Sequence, residues 1–445
     1  MNTLTSIRQG TWFVIISCIM ACAGGIVAML FYEFEVLRAW LHHTLFIALP
    51  GYTGLSVLGL SMCVILPLVM MLQTKYFIGA SGTGIPQAIA AVWAGDGNVR
   101  GRLLSMKIAL GKILLLFLVI ISGATVGREG PSVHVAACFM MMVPYMAQTP
   151  PWLEKRGLII AGGGAGIAAA FNAPIAGIIF AFEEIASALD KQNLSCVIRT
   201  VVLASLMGVL WLGNYLFFGR IATEFSWTYG WVLVVVGVIG GAAGGFFARM
   251  VVTTIQALHK SMSTRYVFWG VIFGVILTAL LLLSDGLTIG SGYPEAQSIL
   301  LGHTVPWWYP YLKAVASYVS LISLVPGGLF DPALAVGASL GSQLHGFIVL
   351  WDPAISARLI ILLCMIAYFA GVVQSPITCC VIVLEMTGQY ELALPCALTS
   401  AIAFSVSRLI CKKAIYQELA TIILFGHQVD SESQVAKIRY DRSVE

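Results

Sequence analysis

The chain repeats one pattern of helix-breaking residues in its two halves. In the first half Ser81–Ala88 (SGTGIPQA) is followed by Gly127–Ala137 (GREGPSVHVAA) and Phe171–Glu184 (FNAPIAGIIFAFEE). In the second half Ile289–Ala296 (IGSGYPEA) is followed by Gly328–Ala338 (GLFDPALAVGA) and Val373–Glu385 (VQSPITCCVIVLE). The prolines at 86, 131 and 174 are 45 and 43 residues apart, and those at 294, 332 and 376 are 38 and 44 apart. Pro174 precedes Glu183 by nine residues and Pro376 precedes Glu385 by nine. Paired glycine and proline breaks inside apolar sequence point to a membrane transport site built from interrupted helices.

The solvent follows from the charge content. Only 10% of the 445 residues are charged and 59% are hydrophobic, against about 25% charged in soluble domains. Apolar runs such as Trp12–Phe31, Leu55–Leu72 and Trp231–Phe247 are long enough to cross about 30 Å of hydrocarbon. Others are shorter and broken by glycine, so tilted and discontinuous helices are expected. The first apolar run reads as a retained helix rather than a cleaved leader. A net charge of +4 from scattered basic residues gives no nucleic-acid footprint. Ten cysteines without paired Cys/His spacing read as small buried hydrophobes, so neither a metal nor a cofactor is expected. Trp307, Trp308 and Tyr309 read as an interfacial anchor. Residues 1–220 form the first half, 221–407 the second, 408–425 a final apolar helix and 426–445 a polar tail.

Three segments share one construction. Gly127-Arg128-Glu129-Gly130-Pro131 joins the end of one apolar helix to the start of the next, and Pro131 suits a first helical turn. Gly328-Leu329-Phe330-Asp331-Pro332 repeats it, and Gly82-Thr83-Gly84-Ile85-Pro86 adds a hydroxyl. Free amides and the positive end of the dipole make each helix start an anion site. Three such starts near the bilayer midplane would hold a small anion by partial charges and release it quickly. Taken singly, each segment is also what an ordinary helix start after a turn looks like.

Glu129 is an ionisable group in such a start, where acids are costly and usually functional. Its carboxylate can occupy the anion site when charged and leave it when protonated, acting as gate and proton carrier. The plainer alternative is a surface pair with Arg128. Glu183 and Glu184 end an apolar helix, either as a solvated end or as a proton entry. Glu385 is their counterpart in the second half and is a candidate for a purely structural role.

These residues resemble the CLC family of chloride channels and chloride/proton exchangers, from about Trp12 to Phe425. The motifs that carry the resemblance are GREGP, GTGIP, FNAPIAGIIFAFEE, GGLFDP (Gly327–Pro332) and KKAIYQEL (Lys412–Leu419). The resemblance implies an all-helical membrane fold of two inverted halves, with about eighteen uneven helices per subunit. It also implies a homodimer with one pore per subunit. Glu129 matches the external gating glutamate and Glu184 the internal proton-transfer glutamate of the exchangers. Amides of Arg128, Glu129, Gly130 and Asp331 would line the outer anion site. Amides of Leu329 and Phe330, with the hydroxyls of Thr83 and Tyr416, would hold the central ion, and amides of Gly82 and Thr83 would face the inner one. Lys112 matches a basic residue beneath the pore.

Thr83 replaces the usual serine. Gln87 and Ile89 stand where many exchangers carry acids, and Asp331 stands where a small residue is common. Thr83 and Tyr416 favour the chloride type over the fluoride-selective branch. The expected function is a chloride/proton antiporter in a bacterial inner membrane, with a passive anion channel of the same fold as the alternative. An enzymatic role is not expected: no HExxH pattern or nucleophile accompanies Glu129. The lack of a nucleotide-sensing C-terminal domain suggests a prokaryotic form.

Overall fold

A computed structural model describes residues 3–94, 97–150, 153–186 and 191–425. The polar tail expected at 426–445 lies outside the described residues. The helices are α1 (Thr3–Ala48), α2 (Tyr52–Lys75), α3 (Ile85–Trp93), α4 (Gly97–Leu103), α5 (Met106–Ser122), α6 (Glu129–Met140), α7 (Val143–Met146), α8 (Lys155–Phe171) and α9 (Pro174–Phe180), followed by α10 (Lys191–Leu212), α11 (Gly230–Thr264) and α12 (Tyr266–Leu283). Then come α13 (Tyr293–Leu300), α14 (Tyr309–Ile322), α15 (Phe330–Ile348), α16 (Ala357–Val373), α17 (Pro376–Thr387), α18 (Ala393–Ile410) and α19 (Ile415–Phe425).

Length separates two kinds of helix. Seven apolar segments are long enough to cross a membrane, Gly10–Ala48 and Trp227–Thr264 among them. Their outward faces are apolar too, as at Leu60 and Val64 on α2 and Phe268 on α12. The nine residues of α3 span about 14 Å at 1.5 Å each, roughly half the hydrocarbon thickness. Proline in the first turn starts α3, α9, α13, α14 and α17, where its missing N–H costs nothing. Glycine brings the long helices close. A Cβ at Gly162 of α8 would lie 2.7 Å from Ala137 Cα of α6, and one at Gly241 of α11 would lie 2.6 Å from Ala403 Cα of α18. Of the aromatic anchor only part faces outward: Trp307 is exposed, but Tyr309 is fully buried, its ring packed into the start of α14.

The two halves repeat each other in backbone detail. Gly82 and Gly84 have φ of 62° and 102°, and their mates Gly290 and Gly292 have 65° and 87°. L-residues rarely adopt these values, which is why glycine stands at all four. The Gly82 amide donates to Leu324 O at 2.6 Å, and the Gly290 amide donates to Gly123 O at 3.1 Å. Lys112 Nζ donates to the carbonyls of Ala80 (2.8 Å), Ser81 (3.2 Å) and Gly82 (2.6 Å). Lys313 Nζ donates to those of Thr288 (3.1 Å), Ile289 (3.4 Å) and Gly290 (2.8 Å). Each unwound stretch before a short helix thus has its carbonyls gathered by one buried lysine. Where the halves meet, Gly127 and Gly328 form an antiparallel bridge with N–H···O distances of 2.8 and 2.6 Å. That bridge sets the starts of α6 and α15 facing each other.

Candidate anion and proton site

The bridge defines the centre of the site. Beyond it, Glu129 and Gly130 lie in the first turn of α6, and Phe330 and Asp331 in that of α15. The first recorded helical amides come later: Ser132 donates to Arg128 O and Ala333 to Leu329 O, both at 3.0 Å. The first-turn amides ahead of them have no carbonyl one turn back. Thr83 closes the third side. A Cβ on Gly130 would lie 2.7 Å from Thr83 O, so the loop before α3 rests directly on the α6 start.

Glu129 is fully buried, and neither carboxyl oxygen has a hydrogen-bond donor among the described residues. The carboxyl lies over Gly127 and Gly328, where a Cβ at either position would collide with its oxygens. Arg128 does not pair with it. Its Nη2 donates to Ala170 O at 3.2 Å, and its guanidinium lies 4.9 Å from the Tyr32 ring centroid and 5.7 Å from that of Phe217. The surface pair with Arg128 is therefore not what the structure forms. Asp331 is also buried, with Oδ1 unpartnered.

Hydroxyls and rings also lie at these helix starts. Thr83 Oγ1 and the Tyr416 hydroxyl are both buried without a partner among the described residues. The Phe330 ring lies 6.2 Å from the Tyr416 ring and 4.7 Å from the Phe369 ring, which fixes where α19 meets the start of α15. Two expectations change. The Gly82 amide is occupied by Leu324 O, because the unwound loop closes against the second half there; it is not free to face an anion. Lys112 is spent on three carbonyls, so it organises the loop before Thr83 and does not present a bare cation.

Glu183 and Glu184 do not form a solvated helix end. α9 runs on into a π-helical turn, Ala181–Ala186, that turns the two acids in different directions. Glu183 accepts from the amides of Ile377 (3.1 Å) and Thr378 (2.6 Å) at the start of α17. Glu385, near the end of α17, accepts from Ile175 (3.1 Å) and Ala176 (2.6 Å) at the start of α9. The two helices cap each other. Glu184 turns inward: it is buried, accepts from Ser375 Oγ, and leaves Oε1 unpartnered. The Tyr416 phenol lies within electrostatic range of both Glu184 and Glu129.

The profile of the family described as voltage-gated chloride channel matches residues 64–408, most of the chain. The chain belongs to that family. An H(+)/Cl(−) exchange transporter, ClcA, of Vibrio cholerae is 31% identical over 360 residues, covering 76% of this chain and 74% of the relative. The protein of the same name from Vibrio parahaemolyticus is 29% identical over 392 residues, covering 82% and 80%. The crystal structure of a slow cyanobacterial Cl−/H+ antiporter superposes with a TM-score of 0.82 at 20% identity, covering 93% of this chain and 98% of the other. That match establishes the shared fold of two inverted halves.

Within this chloride-channel family fold the departures from the usual pattern can be located. Gln87 Nε2 donates to Ser81 O at 2.5 Å, tying α3 to its own loop, and Ile89 is buried in the apolar core. No cluster of three metal-ligating side chains occurs among the described residues. Sequence reasoning missed Lys313 and Ser375. Lys313 was detectable: it precedes Phe330 by seventeen residues, as Lys112 precedes Glu129. Ser375 had no such marker.

Proposed function

We propose that this protein is a chloride/proton antiporter in which Glu129 is the external gate and proton acceptor and Glu184 the internal proton-transfer group. The observation that carries the reading is the Glu129 carboxyl, buried without a donor where two helix starts meet. An ionised carboxylate there competes with an anion for the same partial charges, and protonation relieves the competition. Amides of Arg128, Gly130 and Asp331 border the outer position. Those of Leu329 and Phe330, with the Thr83 and Tyr416 hydroxyls, border the central one. Glu184 supplies what a passive channel does not need, a second buried acid displaced from the anion path. The Vibrio relatives are named as H(+)/Cl(−) exchange transporters, which supports the same reading.

We assign the protein to a bacterial inner membrane as a homodimer with one pore per subunit and no resident cofactor. Its halves divide at 1–220 and 221–407, and 408–425 returns Tyr416 to the pore. The deciding experiment uses the purified protein in liposomes with chloride and proton electrodes. An imposed chloride gradient drives protons uphill in the wild type. Glu129→Gln keeps chloride flux and loses proton movement, because an amide mimics the protonated gate and carries no proton. Chloride flux without uphill protons in the wild type would make it a passive channel.

A further inference from the structure

Two buried acids meet where α6 and α15 begin. Glu129 is the first residue of α6 and Asp331 the second of α15, and the Gly127–Gly328 bridge sets these starts head to head. Their carboxyl groups are within hydrogen-bonding reach of each other. Neither Glu129 oxygen nor Asp331 Oδ1 meets a donor from any other described residue. The charged and titratable groups facing the pair are Arg128 at the α6 start, Glu35 on α1, Lys313 on α14, Tyr293 on α13, Tyr215, and Tyr416 on α19. Lys313 binds three carbonyls and Glu35 pairs with Arg38 at 3.1 Å. Arg128 gives Nη2 to Ala170 O, and its Nη1 is buried without a partner among the described residues. An ionised carboxylate can only accept a hydrogen bond, so a bond between the two acids requires one proton. Two neighbouring carboxylates repel each other when both are charged, and one shared proton removes that repulsion.

We propose that Glu129 and Asp331 hold one proton between them, and that Asp331 is the group that takes the transported proton from Glu129 at the outer end of its path. The inference rests on the exchange reading above. In the step, the O–H bond at Glu129 breaks, an O–H bond forms at Asp331, and Glu129 is left as a carboxylate. Asp331 then releases the proton to water, and the same steps reversed bring a proton in. Asp331 is placed for this because it lies in the first turn of the helix that faces the Glu129 start across the Gly127–Gly328 bridge. The pair is not a product of the repeat. Asp331 corresponds to Gly130, where a Cβ would lie 2.7 Å from Thr83 O, so only the second half has room for an acid at that position.

Infrared difference spectra of the full-length protein in lipid at neutral pH test the shared proton. Wild type minus Asp331→Asn, and wild type minus Glu129→Gln, are each expected to show loss of the same single protonated-carboxyl band. A band lost in only one of the two variants overturns the proposal, since an unshared proton belongs to one residue. Asp331→Ala repeats the measurement if the asparagine variant aggregates. In liposomes Asp331→Asn is read by its ratio of proton to chloride flux, which falls about tenfold or more. A ratio equal to wild type refutes the acceptor role. Absence of coupled exchange in the wild type would sink the exchange reading, while the spectra would still decide whether the proton is shared.

Discussion

Replacing each of the adjacent acids Glu183 and Glu184 with glutamine should produce opposite kinds of damage. Glu183 receives two amides from the start of α17, at 3.1 and 2.6 Å. Hydrogen bonds to a charged group contribute roughly 1.5–3 kcal/mol each, and a negative charge at a helix start adds about 0.3–1 kcal/mol. Glutamine keeps one acceptor oxygen but turns an NH2 toward the other amide. One charge-assisted bond and the dipole interaction are lost, and the other bond weakens to a neutral one. The expected cost is about 2–4 kcal/mol, discounted toward the lower figure because Glu183 is only half-buried. Glu385 makes the matching pair of bonds to α9, so Glu385→Gln should cost a similar amount. Glu184 accepts one hydroxyl, from Ser375, and its other oxygen has no partner. Glutamine keeps that bond and removes a buried titratable group, so stability should change little.

Transport should separate the same variants the other way. On the proposed reading, a proton reaching Glu129 is repelled by the amide donors of the anion path and uses a carboxyl off that path. Glu184→Gln removes it, and proton flux should vanish while chloride flux persists. Glu183→Gln and Glu385→Gln, studied at a temperature where they remain folded, should keep coupled flux. The assays are apparent thermal midpoints in detergent and paired chloride and proton electrodes on liposomes. Proton flux lost with Glu183→Gln and kept with Glu184→Gln would refute the assignment. A Glu183→Gln protein as stable as wild type would refute the reciprocal cap.

Thr83→Val and Tyr416→Phe each remove one unpartnered hydroxyl, and each should weaken chloride affinity roughly tenfold or more, the equivalent of one hydrogen bond to an ion; calorimetric affinities equal to wild type in both would place the ion elsewhere. Lys112→Met and Lys313→Met each strand three buried carbonyls and should destabilise the protein by a similar amount, roughly 3–5 kcal/mol. Only Lys112→Met should also change chloride affinity, because its carbonyls lead directly into Thr83, and equal effects on affinity from the two lysines would contradict that placement.

The helix starts were legible because glycine and proline act locally. Gly84 and Gly292 announce left-handed turns, and Pro86 and Pro294 announce the helices that follow, whatever the rest of the chain does. The same local pattern placed Glu129 in a helix start but left a surface pair with Arg128 open until the packed structure buried it. Partnerships across the fold were not legible. Glu183 reads as a free neighbour of Glu184 until α17, 194 residues away, places Ile377 against it. The Gly82 amide reads as free until Leu324 turns its carbonyl toward it. Glu385 had been a candidate for a purely structural role, and its two amide bonds give it one. Spacing within a segment fixes which backbone groups lack local partners. Only the packed arrangement of two halves decides which of those groups find partners at long range.

The repeat itself sorts these groups. Where the halves agree, the residues frame the fold: Lys112 with Lys313, Glu183 with Glu385, Gly127 with Gly328, and Gly82 with Gly290. Three buried acids with an unpartnered oxygen stand where the halves differ. Glu129 stands opposite Phe330, Glu184 opposite Met386, and Asp331 opposite Gly130. A symmetric arrangement of the acids would put a second buried carboxyl at 330, beside the hydroxyls that border the proposed central ion position. It would then repel the ion it should admit. An aromatic ring at 330 adds no charge beside the amides and hydroxyls that border that position. The frame therefore tolerates duplication and the proton path does not, which is why stability should track the matched positions and coupling the unmatched ones.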